Sequence, residues 1–215
     1  MMNDIDLALK STSWETTISK KTIISVLIVI AIISISLKLY TVDFSTPLNS
    51  DPLAYGIAAI SHTNGDFSQS SHRGIGWSLF VSPFYSLIDS NNFIDYSNAI
   101  KIISLTISTG TIFLVYLLGR KFFNEKFSLV AASLFAFEPH LNFNSGFGLT
   151  EPLYHLVLIL AFYFLINDKT KFFIPSLILI GCAFWIRFGG IAFFIIFIII
   201  YCITKRNSPH FLRNL

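Results

Sequence analysis

The sequence predicts an all-α, polytopic membrane bundle of about six transmembrane helices with interfacial helices in the first outer loop. Three observations carry this. Hydrophobic residues make up 53% of the 215 positions and charged residues only 13%, about half the charged share of a soluble domain. Mean hydropathy is +0.67. The chain holds 23 Phe, far more than one soluble core uses. The net charge of +3 is small, and the cations sit at helix ends rather than in one patch, so no nucleic-acid partner is expected. Cys182 and Cys202 both fall inside apolar runs and read as buried apolar side chains with no disulfide framework. Residues 1–21 are polar, and the first apolar run lacks a small-residue cleavage site, so no cleavable signal is expected.

A helix needs about 20 apolar residues to cross the hydrocarbon core. Thr22–Tyr40 is the first candidate, with Lys38 free to snorkel at its end. Ser97–Gly119 is the second and carries Lys101 near its start. Phe127–His140 is the third and ends at Glu138-Pro139; Glu151–Asn167, Phe172–Ile186 and Gly189–Thr204 complete the set. Gly76–Ile88 is too short to cross and contains Pro83. Charge places it. Lysine and arginine collect on the cytoplasmic side, and the clusters are Lys10, Lys20 and Lys21; Arg120, Lys121 and Lys126; Lys169 and Lys171; Lys205 and Arg206. All four fall inside only if Gly76–Ile88 lies in the outer interface as a re-entrant or juxtamembrane helix.

The expected organisation is therefore a cytoplasmic segment 1–21, a membrane module 22–204 with an outer loop 41–96, and a cytoplasmic tail 205–215. Both termini are cytoplasmic. Within the loop, Asp51-Pro52 opens a helical pattern with Leu53, Ile57 and Ile60 on one face, and Asn64-Gly65 reads as a turn. The outer side also receives Asn142–Thr150 and the turn Arg187-Phe188-Gly189-Gly190.

Candidate chemistry gathers on that side, and each residue also has an ordinary structural explanation. Asp51 before Pro52 is a common N-cap. Glu151 in Thr150-Glu151-Pro152 suits the positive end of a helix dipole. Glu138 lies near the C-terminal end of its predicted helix, where the dipole disfavours an anion, so it calls for a partner or a task. His155 shares a helix face with Glu151. Its alternatives are a hydrogen-bonded imidazole within the membrane or part of a weak zinc site, though no His-Glu-x-x-His or cysteine pair supports metal. Arg187 is either a headgroup anchor or a bidentate phosphate ligand, and His72-Arg73 carries the same two readings. Together, two or three carboxylates, an arginine and several aromatics on one membrane face are what sugar transfer from a lipid phosphate requires: a base for the acceptor hydroxyl and a cation for the leaving phosphate.

The motifs resemble those of the GT-C class of polyprenyl-phosphate-sugar-dependent glycosyltransferases, which includes the dolichyl-phosphate-mannose protein mannosyltransferases and the lipid A aminoarabinose transferases. Asp51-x-x-x-Tyr55-x-x-x-Ala59 resembles the acidic motif that opens the first outer loop, and Gly65-Asp66-Phe67 the turn after it. Arg73-Gly74-Ile75-Gly76-Trp77-Ser78-Leu79 is similar to the Arg-x-Pro-Gly-Tyr-Pro-Leu entry to the interfacial helix, with Ile75 and Ser78 where the family has proline. Leu118-Gly119-Arg120-Lys121-Phe122-Phe123 resembles a cytoplasmic helix end. Leu149-Thr150-Glu151-Pro152-Leu153-Tyr154 resembles the second acidic motif, and Ala183–Gly190 the Thr-Arg-x-x-Gly turn.

The resemblance implies sugar transfer from a polyprenyl phosphate to a lipid, glycan or protein acceptor on the extracytoplasmic face of the cell membrane. It implies Asp51 as the acceptor-activating base, Glu151 as the second acid, and Tyr55, Arg73, Glu138, His155 and Arg187 as substrate-binding residues. No organic cofactor is implied and no metal ligand is assigned; the two acids fit a site with or without a divalent cation. Family members continue with further helices, so the chain reads as the N-terminal module, with a partner subunit as one source of the remaining helices. The rival readings are a non-catalytic accessory subunit, which has no need of Asp51, and a transporter relaying protons through Glu138, His155 and Arg187.

Overall fold

The computed structural model describes residues 18–68, 74–167 and 172–205, the side chains of 204 and 205 excepted. All regular structure in them is helical: α1 (Lys20–Thr41), α2 (Ser50–Thr63), α3 (Gly76–Tyr85), α4 (Phe93–Gly119), α5 (Glu125–Phe137), α6 (Pro139–Gly146), α7 (Glu151–Leu165), α8 (Phe173–Ile186) and α9 (Gly190–Lys205).

Several starts are written in side chains that accept the first unpaired amides. Ser19 Oγ accepts from Thr22 N at 3.1 Å, Asn92 Oδ1 from Ile94 N at 3.0 Å and Asn124 Oδ1 from Phe127 N at 3.1 Å. Helices α1 and α4, of 22 and 27 residues, are long and apolar enough to cross a membrane. At 1.5 Å per residue they reach about 33 and 40 Å, beyond the roughly 30 Å hydrocarbon core. Helix α1 turns Ile24, Ile28, Val29, Ile32 and Ile33 outward, a face that lipid tails suit. Helices α7, α8 and α9 are apolar but shorter. Two of the six expected spans therefore meet the length test.

The third expected span, Phe127–His140, is broken. Helix α5 stops at Phe137, and α6 starts at Pro139 and runs to Gly146. The residue before a proline is pushed out of the helical region, and Glu138 sits at φ −64°, ψ 120°. The short segment Gly76–Ile88 is helical over Gly76–Tyr85, as expected, with Pro83 inside it.

Two buried clusters hold the bundle. One joins Ile23, Leu27, Ile30 and Ala31 of α1 to Ile112 and Tyr116 of α4 and to Ala132 and Ala136 of α5. The alanines let the backbones approach closely. The larger cluster centres on Trp77, Val81 and Tyr85 of α3, with Ile100, Leu153, Val157, Ile180, Ile186 and Phe197 around them. Helix α3 is thus packed into the bundle.

Polar bonds complete the docking of the segment between α1 and α4. The buried Lys101 ammonium donates to the carbonyls of Asp43 and Thr46 at 2.7 and 2.8 Å. Tyr85 donates to the Tyr96 carbonyl at 2.8 Å, and Leu48 N to Ser97 Oγ at 3.2 Å. Lys38 does not snorkel. It is 1% exposed and donates to Ser108 Oγ of α4 at 2.8 Å.

Candidate functional site

A cleft of about 330 Å³ opens where the start of α2, the start of α7 and the α8–α9 turn meet. Asp51, Tyr55, Thr150, Glu151, Arg187 and Phe188 are among the residues that line it. Asp51, Glu151 and Arg187 are separated by 100 and 36 positions, yet the fold brings all three to one cleft.

Each wall has a local cause. Asp51 lies in the first turn of α2 but is not its cap, as the sequence reading expected. The N-cap is Asn49, whose side chain makes no capping hydrogen bond. Ser50 takes φ +51°, in the left-handed region. This turns the chain sharply, and Asp51 is exposed in the first turn of the helix. Tyr55 follows one turn later and lines the same cleft.

Glu151 opens α7 before Pro152, with Thr150 as N-cap. The positive end of the helix favours its charge. The turn that delivers it is held by Trp77, whose buried indole N–H donates to the Gly148 carbonyl at 2.9 Å. Gly148 sits at φ +74°, which most side chains avoid.

Arg187 ends α8 in extended backbone, at φ −145°, ψ 130°. Its position is set by close backbone packing on both sides. A Cβ on Gly74 would lie 2.5 Å from the carbonyl oxygens of Trp185 and Ile186, and one on Gly190 would lie 2.6 Å from Phe184 N. Glycine alone lets α3 and α9 approach the end of α8 this closely.

Arg187 Nη1 pairs with Glu151 Oε1 at 2.5 Å, and the guanidinium lies 6.0 Å from the Tyr154 ring. Arg187 keeps 46% of its side chain exposed and Glu151 20%, so the pair lies at the cleft surface. A guanidinium has five donors. The one on Glu151 fixes its direction, and its exposed remainder can meet an anion. Thr150 Oγ1 donates to the other carboxylate oxygen at 3.4 Å.

The remaining candidates lie elsewhere. His155 is half-buried one turn down α7, edge-on to Phe135 and Tyr154 at 6.4 and 6.0 Å, and is absent from the cleft lining. Glu151, Arg187 and Glu138 all lie within electrostatic range of its ring. Glu138 is the C-cap of α5, at the helix end where the sequence placed it. Because Pro139 restarts the chain as α6, Glu138 becomes the N-cap of that helix and accepts from Leu141 N at 2.5 Å. Arg73 and His72 lie outside the described residues. Among the described residues no group of three or more His, Cys, Asp or Glu side chains is placed to hold a metal ion.

Sequence reasoning missed the parts that shape the walls: Trp77 as the strut under Gly148, and Gly74 and Gly190 as the clasp on α8. Both Gly74 and Trp77 sat inside the Arg73–Leu79 motif. Their roles needed the distant residues 148 and 185–186, which no local pattern names.

A family model described as dolichyl-phosphate-mannose-protein mannosyltransferase matches residues 79–214. The match takes in Glu151 and Arg187 and begins after Asp51 and Tyr55. No curated protein and no solved structure matches the chain. The match covers more than half of the sequence, and the chain belongs to this family, whose members are glycosyltransferases of the GT-C type.

Proposed function

We propose that this chain is a multi-pass membrane module that transfers a sugar from a polyprenyl-phosphate donor to an acceptor hydroxyl on the extracytoplasmic face. The observation that carries the reading is the cleft, in which Asp51 shares a surface with the Glu151–Arg187 pair. In this reading the acceptor hydroxyl gives its proton to the Asp51 carboxylate and its oxygen attacks the anomeric carbon. The bond from that carbon to the phosphate oxygen breaks, and the polyprenyl phosphate leaves with the bonding pair. Arg187 meets the charge that develops there. Glu151 orients Arg187, and Tyr55 lines the acceptor side. A carboxylate offers about four acceptor positions, so Asp51 can take the hydroxyl proton while keeping another partner.

The same reading places both termini in the cytoplasm and counts α5–α6 and the shorter α7, α8 and α9 as crossings. Arg187→Gln and Glu151→Gln test the phosphate role. Transfer from a polyprenyl-phosphate sugar in membranes containing the chain is expected to fall at least tenfold in both, about 1.4 kcal/mol of transition-state binding. Stability should move by less than about 1 kcal/mol, because the pair is partly exposed. Wild-type transfer in the Arg187→Gln variant would remove Arg187 from the mechanism.

A further inference from the structure

A second cavity, of about 190 Å³, opens on the far side of the α2 start. It shares no lining residue with the cleft. Asp43, Thr46 and Asn49 form one wall, and Asn142, Phe143 and Phe147 form the other.

Its chemistry is specific. The Asn142 amide oxygen is buried and has no hydrogen-bond partner. Buried acceptors are almost always satisfied, so an orphan beside a cavity asks for a donor. The rings of Phe143 and Phe147 lie 4.4 Å apart, and both are exposed. They present an aromatic surface beside the polar wall. The carboxylate of Asp43 accepts from the hydroxyl and amide of Ser45 at 2.6 and 2.8 Å. These bonds hold its carboxyl below the usual carboxylate range, so it is charged at neutral pH. Lys101 also lines the cavity, and its ammonium is directed to the carbonyls of Asp43 and Thr46. The Asp43 carboxylate and the buried, carbonyl-bound Lys101 ammonium offset one another, so the lining has no net charge to attract an ion. The wall wants hydroxyl donors, and the rings want an apolar C–H face. One neutral sugar ring supplies both, and the volume is too small for a drug-sized ligand, whose pockets start near 300 Å³.

We propose that this cavity is a subsite for one neutral monosaccharide unit. Asn142 accepts a sugar hydroxyl, Asp43 accepts a second, and Phe143 and Phe147 stack against the ring. Asn49 in this wall is two residues from Asp51 in the cleft, a chain separation of at most about 7 Å. Assigning the sugar to the acceptor rests on the proposed function; the binding itself does not.

The test is saturation-transfer NMR on the chain in lipid nanodiscs, which carry no glycosidic detergent. The probes are the methyl glycosides of glucose, mannose, galactose and N-acetylglucosamine. At least one is expected to receive saturation. The signal should weaken about tenfold in Asn142→Leu and in Phe147→Ala, the equivalent of one lost polar or stacking contact. It should persist in Arg187→Gln, which alters only the cleft. Asn142→Leu should not lower the melting temperature, because it removes an unsatisfied buried polar group. If it does, Phe147→Ala, at a partly exposed position, decides the matter. Three results would overturn the proposal: no transfer to any probe, an undiminished signal in Phe147→Ala, or displacement of the sugar by inorganic phosphate. Loss in Arg187→Gln with retention in Asn142→Leu would put the sugar in the cleft and also overturn it. None of these arms measures sugar transfer, so the proposed function can fail while this site stands.

Discussion

Replacing Gly74 by alanine tests whether the α3–α8 clasp sets the geometry of the cleft. The added methyl would start 2.5 Å from the carbonyl oxygens of both Trp185 and Ile186. Even a tight contact needs about 3.0 Å, so the backbone immediately before Arg187 must retreat by about half an ångström or more. Neither neighbour is a flexible side-chain tip. Both are backbone atoms at the end of a packed helix, so the cost falls in the overpacking range of about 1–3 kcal/mol. In a chain of this length, that lowers the melting temperature by roughly 2–12 °C. A 1 Å misplacement of catalytic groups costs up to about 10²-fold in rate, so transfer should fall by about 10- to 10²-fold. The control is Gly181→Ala in α8, where a Cβ meets nothing within 4 Å. That change should leave activity intact and add up to about 1 kcal/mol of helix stability. The assay is transfer from a polyprenyl-phosphate sugar, with thermal melting in the same membranes or nanodiscs. If Gly74→Ala matches Gly181→Ala in both measurements, the clasp does not position Arg187 and the reasoning fails.

Two further outcomes are expected. Single cysteines at Phe143 and Asn124, both exposed positions, should differ in labelling by an impermeant reagent: Phe143→Cys from outside and Asn124→Cys only after permeabilisation. Labelling of Asn124→Cys from outside would invert the proposed topology and put Glu151 on the wrong side. His62 is buried at the end of α2 and stacks on Phe67 at 4.9 Å. Burial, the largest cause, lowers its pKa from 6.5. A depressed imidazole pKa means that the folded state binds fewer protons than the unfolded one. Its stabilising contribution is thus complete above about pH 6.5 and shrinks as pH falls towards the lowered value. Melting between pH 8 and pH 5 should show a downward step that His62→Gln reduces; an unchanged step in that variant would acquit His62.

The sequence made the apolar architecture legible because hydropathy is a local property. Apolar runs separated by charge clusters located α1, α4, α7, α8 and α9 to within a few residues. Where a local rule met a tertiary constraint, it failed. Lys38 looked like a snorkelling end residue, but Ser108 lies opposite it on α4 and draws it inward. Asp51 looked like a cap, but the left-handed Ser50 moves the helix start to Asn49. Glu138 does end α5, but Pro139 also makes it the N-cap of a new helix, which supplies its partner. The cleft residues Asp51, Tyr55, Glu151 and Arg187 could be named in advance because charges near an apolar boundary are few. Gly74 and Trp77, which hold them in place, could not, because their partners are backbone atoms more than 70 residues away.

Asp51→Asn is the most direct measurement of the central claim. Asp51 is exposed and does not cap its helix, so the amide should leave folding and membrane insertion unchanged. It removes the base, because an amide does not accept a proton at neutral pH. General-base catalysis is worth about 10²–10⁴-fold. The account predicts a normally folded variant, confirmed by melting and labelling, whose sugar transfer in the presence of any required partner falls by that factor. A folded Asp51→Asn protein that retains most of the wild-type rate would contradict it.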